Sequence, residues 1–182
     1  MDLAFSLQRG NHAHGMTAHC EAVSIESVIR DDRLIRAWEE LESAAVLPTQ
    51  SYCFNAELSK TMLAGAHTRI FMVHGPDSAH GVDAVFPLCR GDGFFARWRM
   101  IGACEVYEPG DALCHGPEAA LLLADAIAQE NRPIRLDRVP VNSPLIPALK
   151  ARMKRRGWVL NGRPPHSPPS RWTAAGPRRK HG

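Results

Sequence analysis

The stretch Arg69–Ile101, RIFMVHGPDSAHGVDAVFPLCRGDGFFARWRMI, decides the fold. It holds three runs of strand character separated by turn chemistry. Arg69–His74 is the first, rich in the apolar and β-branched residues that suit a half-buried pleated surface. Gly75-Pro76-Asp77 breaks it. Val82–Cys89 is the second run, and Arg90-Gly91-Asp92-Gly93 is a tight hairpin signal. Phe94–Ile101 is the third, mixing Phe95, Trp98 and Met100 with Arg97 and Arg99. Pro87 lacks an N–H and must stand where the ladder requires none, at an edge or a bulge.

Upstream, residues 1–18 have no periodicity and read as a disordered leader. His19–Ile25 alternates as a first strand. Asp31 or Asp32 caps a helix with Leu34, Trp38, Leu41 and Ala45 on its apolar face, and Leu47-Pro48 stops it. Thr49 or Ser51 caps a second helix with Phe54, Leu58 and Met62 inward, ending at Gly65. Downstream, Pro117 suits a first helical position, and that helix runs to about Glu130 with Leu121, Leu122 and Ile127 inward. Ile134–Val139 alternates as a strand. Asn142 or Ser143 caps a last helix bearing Leu145, Leu149 and Met153, Gly157 ends it, and Trp158–Leu160 is a short final strand. The order is β-α-α-β-β-β-α-β-α-β. Hairpin-linked strands in the middle and helix-linked strands at the end predict an α/β (α+β) domain over residues 19–162. Its sheet is mixed, mostly antiparallel and flanked by helices. Residues 163–182, rich in Pro, Ser and Arg, read as a disordered basic tail.

The net charge of +3 conceals an asymmetry. Residues 1–149 carry 12 Lys/Arg against 19 Asp/Glu, whereas residues 150–182 carry 10 against none. The basic end suits non-specific contact with anionic polymers, but no nucleic-acid module accompanies it, so no specific nucleic-acid partner is expected. No apolar run approaches the roughly 20 residues of a membrane span. The N-terminus lacks a secretory h-region, and the five cysteines form no disulfide framework, which together predict a cytoplasmic protein with reduced thiols.

Between the third strand and the Pro117 helix lies GACEVYEPGDALCHGP, Gly102–Pro117. A loop in that place cradles a phosphate when it supplies backbone N–H groups and cations. Here no Lys or Arg occurs between Arg99 and Arg132, and Glu105, Glu108 and Asp111 would repel an anion. The same carboxylates attract a cationic amine. Tyr107 and Glu108 are the candidates for assisting proton transfer, and Glu105 and Asp111 for binding a substrate or a domain. The alternative is a solvated loop, or one that hydrogen-bonds backbone donors and positions a partner domain. His12, His14, His19 and Cys20, and likewise Cys104, Cys114 and His115, lack zinc-site spacing, so no metal is expected. The thiols lack an oriented base and read as buried structural groups.

Several ordered segments resemble the bacterial CelD-like acetyltransferases associated with cellulose biosynthesis, which are GNAT-type N-acetyltransferases. The segments are Trp38-Glu39-Glu40-Leu41, Leu47-Pro48 with Gln50-Ser51, Val85-Phe86-Pro87-Leu88, Ile101-Gly102 and Glu108-Pro109-Gly110-Asp111. Leu136-Asp137-Arg138-Val139-Pro140 with Asn142-Ser143-Pro144 completes the set, and the resemblance covers residues 20–166. It implies a GNAT-like domain and acyl transfer from acetyl-CoA to a small amine acceptor. It also implies a tandem arrangement similar to Fem-type peptidyltransferases, with the donor held mainly by a second GNAT-like domain or partner chain. Arg138 joins the substrate-binding or domain-contact candidates through its motif. This chain matches the first half of such a pair, as a truncated or frame-shifted product would. Alone it is expected to be inactive or weakly active. A non-catalytic binding or scaffold module on the same fold is the alternative.

Overall fold

A computed structural model describes residues 18–75, 81–93, 95–130 and 132–153. The chain begins with strand β1 (His19–Val23), then helices α1 (Ile25–Ile29), α2 (Asp32–Leu41) and α3 (Tyr52–Thr61). Strands β2 (His67–His74), β3 (Ala84–Arg90), β4 (Trp98–Met100) and β5 (Leu113–Cys114) follow. Helix α4 (Pro117–Ile127), strand β6 (Ile134–Arg135) and helix α5 (Leu145–Met153) complete the described strands and α-helices, and two short 3-10 turns, Glu42–Ala44 and Pro48–Gln50, lie between α2 and α3. None of these helices is long and apolar enough to cross a membrane.

The strands form one open, mostly antiparallel sheet in the order β1-β2-β3-β4-β6, with β5 also paired to β3. Among the described strands, only β4 and β6 run parallel. Side-chain alternation divides the core between the two faces. Phe71, Val73, Phe86, Leu88 and Met100 pack against Leu123 and Ala124 of α4 and Leu145 and Leu149 of α5. Ile70, Met72, Val85 and Cys89 pack against Val28 of α1, Trp38 and Leu41 of α2 and Leu58 of α3. The domain is thus a mixed α+β sheet with helices on both faces. β3, at its centre, is buried at every position but Arg90.

Pro87 explains why two strands share one edge of β3. Its carbonyl accepts from the Ile101 N–H at 3.3 Å. A strand residue's N–H and C=O point the same way, so the missing N–H of Pro87 faces that edge too. β4 pairs with Leu88 and Cys89, then leaves at Pro87. β5 occupies the rest of the edge, opposite Ala84 and Val85. The proline therefore sits in the most buried strand, at a break between its two neighbours.

Side-chain caps set several helix ends. The Asp31 side chain accepts from the Arg33 N–H, and Ser51 from the Phe54 N–H. The structure also departs from the sequence expectations. Ser24 caps an additional short helix, α1, and β5 is a further strand of two residues. The strand expected over Ile134–Val139 covers only Ile134–Arg135, and the left-handed Arg138, φ 57°, stands where extended backbone could not continue. The third strand begins only at Trp98, after a turn in which the Ala96 N–H bonds the Gly93 carbonyl. α4 turns Leu123 and Ala124 fully inward, leaving Leu121 and Leu122 partly buried. α3 buries Asn55 and Leu58, and Met62 is 56% exposed. Apart from Ala18, the leader lies outside the described residues, as do Gly157, the strand at Trp158–Leu160 and the basic tail.

Gly102 shows how tightly the chain turns out of β4. It has φ +87°, and a Cβ there would lie 2.9 Å from Cε1 of Phe54. Gly65 has a similar φ of +83° with nothing within 4 Å of its would-be Cβ. Gly65→Ala therefore isolates the backbone term and should cost about 1 kcal/mol. Gly102→Ala adds the collision with Phe54 and should cost about 3 kcal/mol. Urea unfolding of both variants measures the difference, and equal losses would contradict the packing assigned to Gly102.

Candidate functional site

The parallel pair β4 and β6 directs two loops out of the same end of the sheet, residues 101–112 and 136–144. Ligands of open α/β sheets bind outside the carboxyl ends of such strands. All five residues singled out by sequence, Glu105, Tyr107, Glu108, Asp111 and Arg138, stand on these two loops.

The first loop is anchored by buried polar side chains from the turn between α2 and α3. Gln50 is 4% exposed and uses both ends of its amide. Its Nε2 donates to the Ala112 carbonyl at 3.0 Å, and its Oε1 accepts from the N–H groups of Val46 and Leu47 at 2.9 and 3.0 Å. Its backbone carbonyl accepts from Trp38 Nε1 at 2.9 Å. Thr49 Oγ1 donates to the Pro109 carbonyl at 2.7 Å. The fully buried Asn55 donates to the carbonyls of Thr49 and Ser51 at 2.9 and 2.8 Å, holding the turn itself.

The carboxylates of the loop divide into different roles. Glu105, its side chain 8% exposed, pairs with Arg99 of β4 at 2.6 Å. Its second oxygen, Oε2, is buried without a partner among the described residues. Asp111 is buried, and its Oδ1 accepts from Ser143 Oγ at 2.7 Å and from the Ala112 N–H at 2.8 Å. Ser143 Oγ in turn accepts from the Leu145 N–H at 3.2 Å, capping α5. Asp111 thereby joins the loop after β4 to the helix after β6. Burial pushes its pKa above the ordinary 3.8, against the opposing pull of these two hydrogen bonds. Glu108 is exposed to solvent.

Tyr107 and Arg138 meet across the two loops. Arg138 Nη1 donates to the Tyr107 carbonyl, and its guanidinium lies 5.0 Å from the Tyr107 ring centroid. Both residues have left-handed backbones, φ 59° and 57°, and they are the only non-glycine residues with positive φ among those described. Such conformations cost about 1–3 kcal/mol each and persist where the surroundings over-determine them. Tyr107 remains 69% exposed. The structure thus joins Tyr107 to Arg138, turns Glu105 and Asp111 inward, and leaves Glu108 at the surface beside Tyr107. Thr49 and Ser143 are readable in the sequence as helix-cap candidates, but the loop contacts of Gln50, Thr49 and Ser143 are not, because their partners lie 32 to 62 residues away.

No group of three or more His, Cys, Asp or Glu side chains among the described residues is arranged to hold a metal. Burial raises the thiols of Cys20 and Cys114 to about 12 and that of Cys89 to about 11, which keeps them protonated. Gly116, whose φ is 94°, stands at the N-cap of α4, and the helix carries Glu118 in its first turn.

Asp111 separates hydrogen bonding from charge. Asp111→Asn keeps an oxygen that accepts from Ser143 and Ala112 and removes a buried charge, so stability at neutral pH should hold to within about 0.5 kcal/mol or rise. Asp111→Ala strands two buried donors and should cost about 2 kcal/mol. Because the folded pKa is raised, the native state binds this proton more tightly, and the contribution of Asp111 falls as pH rises through that value. Denaturant unfolding across pH should lose this component in Asp111→Asn; an unchanged profile would contradict it.

No family model matches the chain, and neither a curated protein nor a solved structure matches it.

Proposed function

We propose that this domain is the acceptor-side, GNAT-like member of a two-domain N-acyltransferase, with the acyl-CoA donor held mainly by its companion domain. The observation that carries the reading is the commitment of the loop leading to α4. Gln50 and Thr49 fix its backbone, Glu105 and Asp111 are engaged inside the domain, and no Lys or Arg occurs between Arg99 and Arg132. A pyrophosphate entering α4 would meet Glu118 and no cation from this segment. Electrostatics thus disfavours the donor there.

The exposed part of the same rim favours an amine. Glu108 offers a solvent-accessible carboxylate, and Tyr107 offers a ring face and a phenol beside it. In this reading Glu108 attracts the protonated amine during encounter and takes up the proton its nitrogen loses, the C–N bond forms as the thioester C–S bond breaks and the thiol leaves, and the Tyr107 phenol assists the proton transfer. Arg138 holds Tyr107 in position. The motifs resembling CelD-like acetyltransferases fall on these parts of the fold: Gln50-Ser51 on the anchoring turn, Glu108–Asp111 on the loop, and Arg138 and Ser143 on the facing loop. Association with cellulose biosynthesis follows from the same resemblance.

Two titrations of the isolated domain test the reading. Calorimetry with acetyl-CoA should show no micromolar binding, and micromolar binding would overturn the division of labour. Titration with 1,4-diaminobutane at low salt should shift the NMR signals of Tyr107 and Glu108, and Glu108→Gln should weaken that binding about threefold, the scale of an exposed ion pair. Unchanged affinity in Glu108→Gln would remove the amine-recognition role.

A further inference from the structure

The end of β2 carries a charged cluster that the proposed function does not use. His74 Nε2 lies 2.8 Å from Oε1 of Glu21 on β1, and His74 Nδ1 lies 2.5 Å from the Gly81 carbonyl. A carboxylate and a carbonyl oxygen both only accept, so each ring nitrogen must donate. An imidazole has two N–H groups only when it is protonated. His19, opposite His74 in the strand register, stacks on its ring at 4.7 Å between centroids and 13° between planes. Asp83 also acts on His74 electrostatically. Its carboxylate fills the space beside Gly75, where a Cβ would lie 1.6 Å from Oδ2. Asp31, at the start of α2, is the further acid acting on Glu21. Among the described residues the histidine therefore faces two acids and one other histidine.

The positions joined by this ring give it a structural task. β1 is an outer strand of the described sheet, held by its pairing with β2. Gly81 precedes β3 and lies against α2, its would-be Cβ 4.0 Å from that of Ala37. One protonated ring thus binds the outer strand on one side and the approach to β3 on the other. Both nitrogens are occupied, so His74 cannot exchange a proton with a substrate while the cluster is closed.

We infer that His74 is a proton-operated clasp: its imidazolium fastens β1, through Glu21, to the segment at Gly81, and deprotonation releases one of the two attachments. Removing one proton leaves one nitrogen as an acceptor facing another acceptor, and that contact becomes repulsive. The direction of both titrations agrees with the geometry. The hydrogen bond to Glu21 is the largest cause that raises the His74 pKa above 6.5, and the same bond lowers Glu21 below 4.5. The histidine's contribution is complete below 6.5 and disappears as pH rises through its folded value. The glutamate's is complete above 4.5 and disappears as pH falls through its folded value. Both contributions are complete together between 4.5 and 6.5; the clasp opens as pH rises through the folded His74 value and weakens as pH falls through the folded Glu21 value.

Nitrogen-15 NMR of the wild-type histidine rings tests this without any variant. At pH 6.5 both nitrogens of His74 should show imidazolium shifts, with a midpoint above 6.5, and a neutral tautomer at that pH would overturn the proposal. Glu21→Gln should move the midpoint downward, and an unmoved midpoint would exclude Glu21 as the partner. Amide exchange in Cys20–Val23 should accelerate through the His74 midpoint by more than the intrinsic base-catalysed rise. His74→Gln should abolish that excess. Exchange that follows only the intrinsic rise in the wild type would show that the ring does not fasten β1.

Discussion

The buried amide of Gln50 is the interaction on which the arrangement of the loops depends. Its oxygen satisfies two backbone N–H groups at the end of the α2 region, and its nitrogen satisfies one carbonyl just before β5. A net hydrogen bond contributes about 1 kcal/mol, but a buried group left without its partner costs about 1–3 kcal/mol. The asymmetry makes the turn at residues 47–51 obligatory. Once Trp38 is fully buried and donates its indole N–H to the Gln50 carbonyl, the turn has one position relative to the sheet. Thr49 then meets Pro109, and the loop after β4 follows a fixed course back to β3.

That course determines what the loop has left for a ligand. Arg99 neutralises Glu105 at the foot of the loop, and Asp111 is consumed in capping the start of α5 through Ser143. The outer part, Tyr107 and Glu108, projects from a supported base. Tyr107 and Arg138 both hold left-handed backbones and touch each other, so the surroundings maintain two unfavourable conformations at one rim. Strain at this position, outside the ends of the two parallel strands, is the feature that most distinguishes this rim from an ordinary surface loop.

The middle strands, both capped helices and the proline at the start of α4 were legible in the sequence because their signals are local. Alternation over several residues specifies a strand, and a side-chain oxygen just before a helix, bonded to an N–H two or three residues on, fixes its start, as Asp31 and Ser51 do. β5 was illegible because two residues have no period, and it forms only because Pro87 ejects β4 from the edge of β3. The inward face of α3 was misjudged for a related reason: Asn55, polar by composition, is buried because it has two carbonyls to bond. At the rim, the residue types were readable as a carboxylate cluster. Their division between inward and outward roles was not, since Asp111 finds Ser143 32 residues later.

The central claim is that the turn at residues 47–51 and the start of α5 hold the loop as one unit. A double-mutant cycle combining Gln50→Ala with Asp111→Ala, read by denaturant unfolding, tests it most directly. If the anchors act together, freeing the loop at one end devalues the other. The double variant should then lose at least about 1 kcal/mol less than the two single losses combined. Losses that add to within about 0.3 kcal/mol would show two independent contacts and would contradict the account.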